Sequence, residues 1–124
     1  MEEVLIITPI EVQARTYENG IGLEQLKEGV GGGWVDLVRL LAPTKANPGI
    51  DMYVDDEGLL KGLPFNALAT GVAMYFTHQA VTLVGDAVIT GCTLDGEAVG
   101  LADGDKQMIL RFLGLAVGPD GVPA

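Results

Sequence analysis

The sequence predicts a single compact α+β domain: a mixed or antiparallel sheet of about five strands with two helices. Three observations carry that expectation. Short apolar and β-branched runs recur along the chain, each closed by glycine, proline, asparagine or aspartate. Helical spacing of apolar residues surfaces in two places, near 22–29 and near 103–113. Hydrophobic residues make up 48% of the 124, enough for one core, while 18 glycines are about twice the usual share of ~7% and favour turns and bulges over long helices.

Val4-Leu5-Ile6-Ile7 reads as a buried strand ended by Thr8-Pro9, and 11–17 alternates well enough for a second. Asn19-Gly20 is a turn signal. Leu23, Leu26, Lys27 and Val30 predict a short helix over 22–29, stopped by Gly29 and Gly31. The next strand, 34–41, carries mostly apolar residues at both parities, the pattern of a central strand. Pro43 opens a polar loop, and 50–54 returns as the partner in a two-strand hairpin. Asp55-Asp56-Glu57-Gly58 is a turn, with Gly58 free to take positive φ. Pro64 can open a short helix through Asn66 to Thr70, and Met74-Tyr75-Phe76 reads as a short strand or irregular. Residues 81–84 and 87–90 are strand-like, split by a bulge or turn at Gly85-Asp86. Asp103 or Asp105 can cap a last helix that presents Met108, Ile109, Phe112 and Leu113 on one face. The domain is placed at 1–117, with 118–124, rich in glycine and proline, as a frayed tail.

Seventeen acidic residues against seven basic ones leave a net charge of −10. That argues against direct binding of nucleic acid, which relies on cations neutralising phosphates, and against anionic membranes. The acidic Met1-Glu2-Glu3 start is unlike a signal peptide. Residues 62–85 carry no formal charge over 24 positions, but Asn66, Thr70, Thr77, His78, Gln79 and Thr82 are too many polar groups for hydrocarbon. The expectation is a cytoplasmic protein in which this belt is core or interface.

At this point the residues resemble a family. Gly31-Gly32-Gly33-Trp34-Val35, then Tyr53-Val54-Asp55-Asp56-Glu57-Gly58 and Leu60-Lys61-Gly62-Leu63-Pro64-Phe65-Asn66, then Leu83-Val84-Gly85-Asp86 look like a small uncharacterised domain family. That family is common in bacteriophages and mobile elements of Gram-positive bacteria and actinobacteria. The resemblance spans about 4–113 and is most specific over 55–66. Many relatives have arginine after the motif asparagine; this chain has Ala67. The resemblance implies a compact α+β fold and a phage or mobile-element origin, and supplies no reaction.

Chemistry-bearing motifs are sparse. Gly31-Gly32-Gly33 lies between a helix and a strand with no lysine after it, the reverse of a phosphate-binding order, and reads as a tight connection. Asp55-Asp56-Glu57 lacks the alternating ligands of a calcium loop. One histidine, His78, and one cysteine, Cys92, are too few for a metal site or a recognisable nucleophilic constellation. No catalytic residue, metal or cofactor is therefore assigned. Asn66 is read first as a helix cap or backbone clamp and second as a contact residue. The candidate ligand or partner contacts are Trp34, Arg39, Asn66, Tyr75 and His78, with Trp34 and Arg39 on opposite strand faces by alternation. Gly31, Gly32, Gly33, Gly58 and Gly85 are assigned to turns. Surplus apolar residues in 62–85 would be absorbed by a homo-oligomer interface. The leading expectation is a non-enzymatic accessory protein that binds a host protein or sequesters a small ligand, in the service of counter-defence. The alternatives are an acidic mimic of nucleic acid and a small enzyme.

Overall fold

The computed structural model describes residues 2–114; the tail placed at 118–124 lies outside them. Six strands and three helices follow in the order β1 (Glu2–Ile7), β2 (Val12–Tyr17), α1 (Leu23–Gly29), β3 (Val35–Leu41), β4 (Gly49–Asp55), α2 (Ala67–Thr77), β5 (Ala87–Cys92), β6 (Ala98–Val99) and α3 (Asp103–Phe112). The sheet runs β2-β1-β5-β4-β3, with the two-residue β6 also on β5. Every pairing is antiparallel.

Strands β1 and β5 lie inside the sheet and are apolar on both faces because both faces are covered. Leu5, Ile7, Ile50, Met52 and Ile89 point to one side, where Ala69, Val72 and Ala73 of α2 and Ile109 and Leu110 of α3 close over them. Val4, Ile6 and Val88 point to the other and meet Leu26 of α1 and Val30. Helix α1 reaches the sheet through Gly29, where a Cβ would stand 2.5 Å from Val88 Cγ2. On that face Val35 of β3 and Tyr53 of β4 pack at the margin of the α1 cluster, and Asp51 and Arg39 lie further along the two strands. There the exposed guanidinium of Arg39 forks onto the buried carboxylate of Asp51 at 2.7 and 3.2 Å.

Several expectations are corrected. Among the described residues the helices number three and not two, and α2 continues through Met74-Tyr75-Phe76, residues expected to be strand or irregular. Its solvent face is nearly as apolar as its buried face, so the chain shows no polar stripe to mark helical period. Strand β3 is an edge strand and not a central one: Leu37 and Leu41 are 46% and 44% exposed. A register shift between Arg39 and Leu41, with Asp36 and Arg39 along the strand, suits that edge. Residues 81–84 form no strand beyond a single bridge from Val84 to Phe65. Helix α3 is capped at Ala102 without a side-chain bond; Asp103 and Asp105 sit in its first turn, facing the positive end of the helix. Gly58 does not take positive φ.

Candidate functional site

The family-like motifs, dispersed over residues 31–86, converge at one end of the sheet. The loop after α1 brings Gly31, Gly32 and Gly33 there, the C-terminal end of β4 brings Asp55, and the turn beyond it brings Lys61 to Pro64. The approach to β5 brings Gly85 and Asp86. Together Gly31, Asp55, Lys61, Leu63, Pro64, Gly85 and Asp86 line a cleft of about 200 Å³.

The turn after β4 is built from its own polar groups. Glu57 N donates to Asp55 Oδ1 at 2.8 Å, and Lys61 Nζ donates to Asp55 Oδ2 at 2.7 Å. Backbone bonds from Gly58 N to Asp55 O and from Lys61 N to Glu57 O wind 55–63 into a tight coil. Space, more than φ, explains Gly33: its Cβ would lie 2.6 Å from both Asp55 Oδ2 and Lys61 Nζ. The same holds for Gly58, whose Cβ would meet Val84 Cγ2 at 2.8 Å. Gly85 is constrained twice, by φ of 74° and by Leu63 Cδ1 at 2.7 Å from a Cβ.

The Lys61 ammonium, through its hydrogen bond, holds the Asp55 carboxyl below the usual carboxylate range. The same bond raises Lys61. The signs then follow from linkage. Asp55's contribution to stability is present above its unfolded value of about 3.9 and disappears as pH falls through the lower folded value. Lys61's contribution is present below its unfolded value of about 10.4 and disappears as pH rises through the higher folded one. Asp55→Asn is therefore expected to flatten the acid limb of stability. Urea unfolding between about pH 2 and pH 6 checks it, with wild type and variant converging at the acid end.

Beside this cleft, and sharing Asp55 with it, lies a larger groove of about 390 Å³ bounded by Asp36, the 54–60 segment and Thr82, Leu83 and Val84. Its rim is unusual. Leu59 and Leu60 stand 74% and 89% exposed on the coil, and the exposed Asp36, Asp56 and Glu57 line the same groove. Two projecting leucines in a groove that three exposed carboxylates also line suit a partner that offers an apolar hollow flanked by lysine or arginine.

The expected contact residues do not gather in one place. Asn66 is fully buried and caps α2: its Oδ1 accepts from Ala69 N at 2.9 Å, and its Nδ2 donates to Ile7 O at 2.8 Å and Gly85 O at 2.7 Å. It is cap and clamp at once, with no surface to offer a ligand. Trp34 precedes β3, 62% exposed, with Lys27 Nζ of α1 held 4.2 Å above its ring centre. Arg39 lies five residues further on and is engaged with Asp51. Tyr75 and His78 belong to α2, on the other side of the sheet; His78 is the exposed left-handed residue that ends the helix, with φ of 57°. Cys92 is buried in β5, and burial, with Asp51 nearby, pushes its thiol pKa up. Leu59 and Leu60 were missed as contact residues because a leucine pair after a glycine reads as the start of another apolar run.

Among the described residues, no three His, Cys, Asp or Glu side chains gather as metal ligands would, and no helix is long and apolar enough to cross a membrane. Residues 1–113 match the family model of a domain of unknown function, DUF3846. No curated protein and no solved structure matches the chain.

Proposed function

Since the chain belongs to the DUF3846 family, we propose that this domain is a non-enzymatic binding module, a phage or mobile-element accessory protein that engages a host protein through the acidic, leucine-tipped coil after β4. The observation that carries this reading is the exposure of Leu59 and Leu60, 74% and 89%, in a groove that Asp36, Asp56 and Glu57 also line. Exposed leucines forfeit their transfer free energy in the free protein and recover it only on a partner, at about 1.5–3 kcal/mol for each when fully buried. The carboxylates add steering and register. A phage origin is supported by the resemblance of the motif residues. The non-enzymatic part is supported by the separation of His78, exposed at the end of α2, from Cys92, buried on the opposite side of the sheet. An acidic mimic of nucleic acid would have little use for leucines at the centre of its surface, which favours a protein partner.

Leu59→Ser with Leu60→Ser tests it. Both side chains are solvated, so the thermal midpoint is expected to stay within what about 0.5 kcal/mol allows. Affinity for the partner, captured on immobilised wild type from host lysate, is expected to fall about 10- to 100-fold. Retention is also expected to weaken as salt rises. Equal retention by wild type and the double variant would overturn the reading.

A further inference from the structure

On the far side of the sheet from the Arg39–Asp51 pair, α2 presents a second, different surface. Its solvent stripe is Ala67, Gly71, Met74, Tyr75 and His78, successive positions one helical turn apart. Met74 and Tyr75 are 44% and 51% exposed. Phe112 of α3 extends the patch, its ring 4.6 Å from that of Tyr75. Helix α2 contains no charged residue, in a chain of net charge −10.

We propose that this stripe is the contact through which two copies of the chain pair about a two-fold axis. Two features of the surface select a second copy as the occupant. The first is shape. The N-terminal half of the stripe is small, Ala67 and Gly71, and the C-terminal half is bulky, Met74 and Tyr75. A Cβ added at Gly71 would meet no atom closer than Phe112, at 3.9 Å, so Gly71 leaves a shallow notch. Two α2 helices packed antiparallel lay the bulky half of each on the small half of the other, the self-complementarity an isologous contact demands. The second is charge. Two chains of −10 repel most where acids face acids; on this helix no acid faces an acid, and only the longer-range repulsion of the two net charges remains.

An 11-residue helix is only about 16 Å long, so the contact is small and the pairing concentration-dependent. Sedimentation equilibrium of the full chain is expected to show monomer at about 5 µM and a substantial dimer fraction at about 500 µM, a span suited to a sub-standard interface. Added salt is expected to strengthen the dimer by screening the net repulsion, the opposite of its effect on a cationic partner at the leucine coil. Met74→Glu buries a carboxylate against the uncharged, small half of the facing helix and is expected to raise the dissociation constant at least about tenfold, with the circular dichroism unchanged. Leu60→Glu, on the other surface, is expected to leave it unchanged. Concentration-dependent amide shifts in wild type, confined to α2 and α3, provide a readout that needs no variant. A wild-type chain monomeric at about 500 µM, shifts centred elsewhere, or a Met74→Glu variant that pairs as well as wild type would each overturn the proposal. None of these results depends on the leucine coil having a partner.

Discussion

Asn66→Ala is expected to destabilise the domain by about 3–5 kcal/mol, the largest effect of any single polar substitution at this end of the sheet. The fully buried amide bonds the end of β1 through Ile7 O, the approach to β5 through Gly85 O, and the first turn of α2 through Ala69 N. Alanine leaves two carbonyls and one amide without partners in a space closed to water, and each such group costs about 1–3 kcal/mol. For a domain whose total stability is on the order of 5–15 kcal/mol, that is a large share. Urea unfolding measures it directly, and the thermal midpoint is expected to fall by roughly 10–20 °C. Asn66→Asp separates the two roles. It keeps the acceptor for Ala69 N but turns a carboxylate oxygen toward two carbonyls, so it is expected to be as damaging as alanine at neutral pH and to recover as the carboxyl protonates. A variant that unfolds at the wild-type urea concentration would show that the clamp contributes nothing.

Glu3→Ala is expected to cost about 2–3 kcal/mol, far more than a substitution at a one-third-exposed glutamate usually does. Its partner is the reason. Lys106 Nζ donates to Glu3 Oε1, with the lysine side chain only 4% exposed, and Asp103 stands at 3.8 Å as a weaker second acid. Removing Glu3 strands an ammonium between α3 and the sheet; removing the ammonium strands much less, because Glu3 still reaches water. Lys106→Met is therefore expected to be the milder change, and the double variant Glu3→Ala with Lys106→Met to be more stable than Glu3→Ala alone. Guanidinium or urea midpoints of the three proteins decide the matter. If Lys106→Met is the worse of the two single changes, the account of the buried ammonium is wrong.

Much of the architecture was legible in the chain because local signals and tertiary packing agree. The β1 run is apolar at both parities and lies inside the sheet. The 34–54 hairpin follows from two strand-like runs around a proline-containing loop, and Asn66 announced itself as an amide inside an uncharged stretch. Errors arose where sequence pattern and environment diverge. The β3 run has the composition of an interior strand but ends at the edge, because Leu37 and Leu41 are left in solvent. Helix α2 lacked contrast between its faces, and a stretch with no polar side cannot declare a period. The candidate site was illegible for a different reason. Gly33 is 22 residues from Asp55 in sequence, and its want of a side chain means nothing until β3 and β4 bring it within contact of the Asp55–Lys61 pair. Likewise Leu59 and Leu60 look ordinary until the coil beneath them is seen to be fastened by Asp55, with nothing above.

The strand order β2-β1-β5-β4-β3 also governs how the molecule can come into being on the ribosome. The two hairpins, β1–β2 and β3–β4, are complete by residue 55, yet no strand of one pairs with a strand of the other; both pair to β5, which ends at Cys92. During translation each waits as an isolated two-stranded ribbon with an open inner edge, a form only marginally stable in water. At about 5–20 residues per second, the interval between the end of β4 and the end of β5 lasts about 2–7 s. For that time Leu5, Ile7, Ile50 and Met52 have no core to enter. Folding is thus deferred to a late strand, and the nascent chain is most open to chaperones, or to aggregation, just before β5 zips the two halves into one sheet.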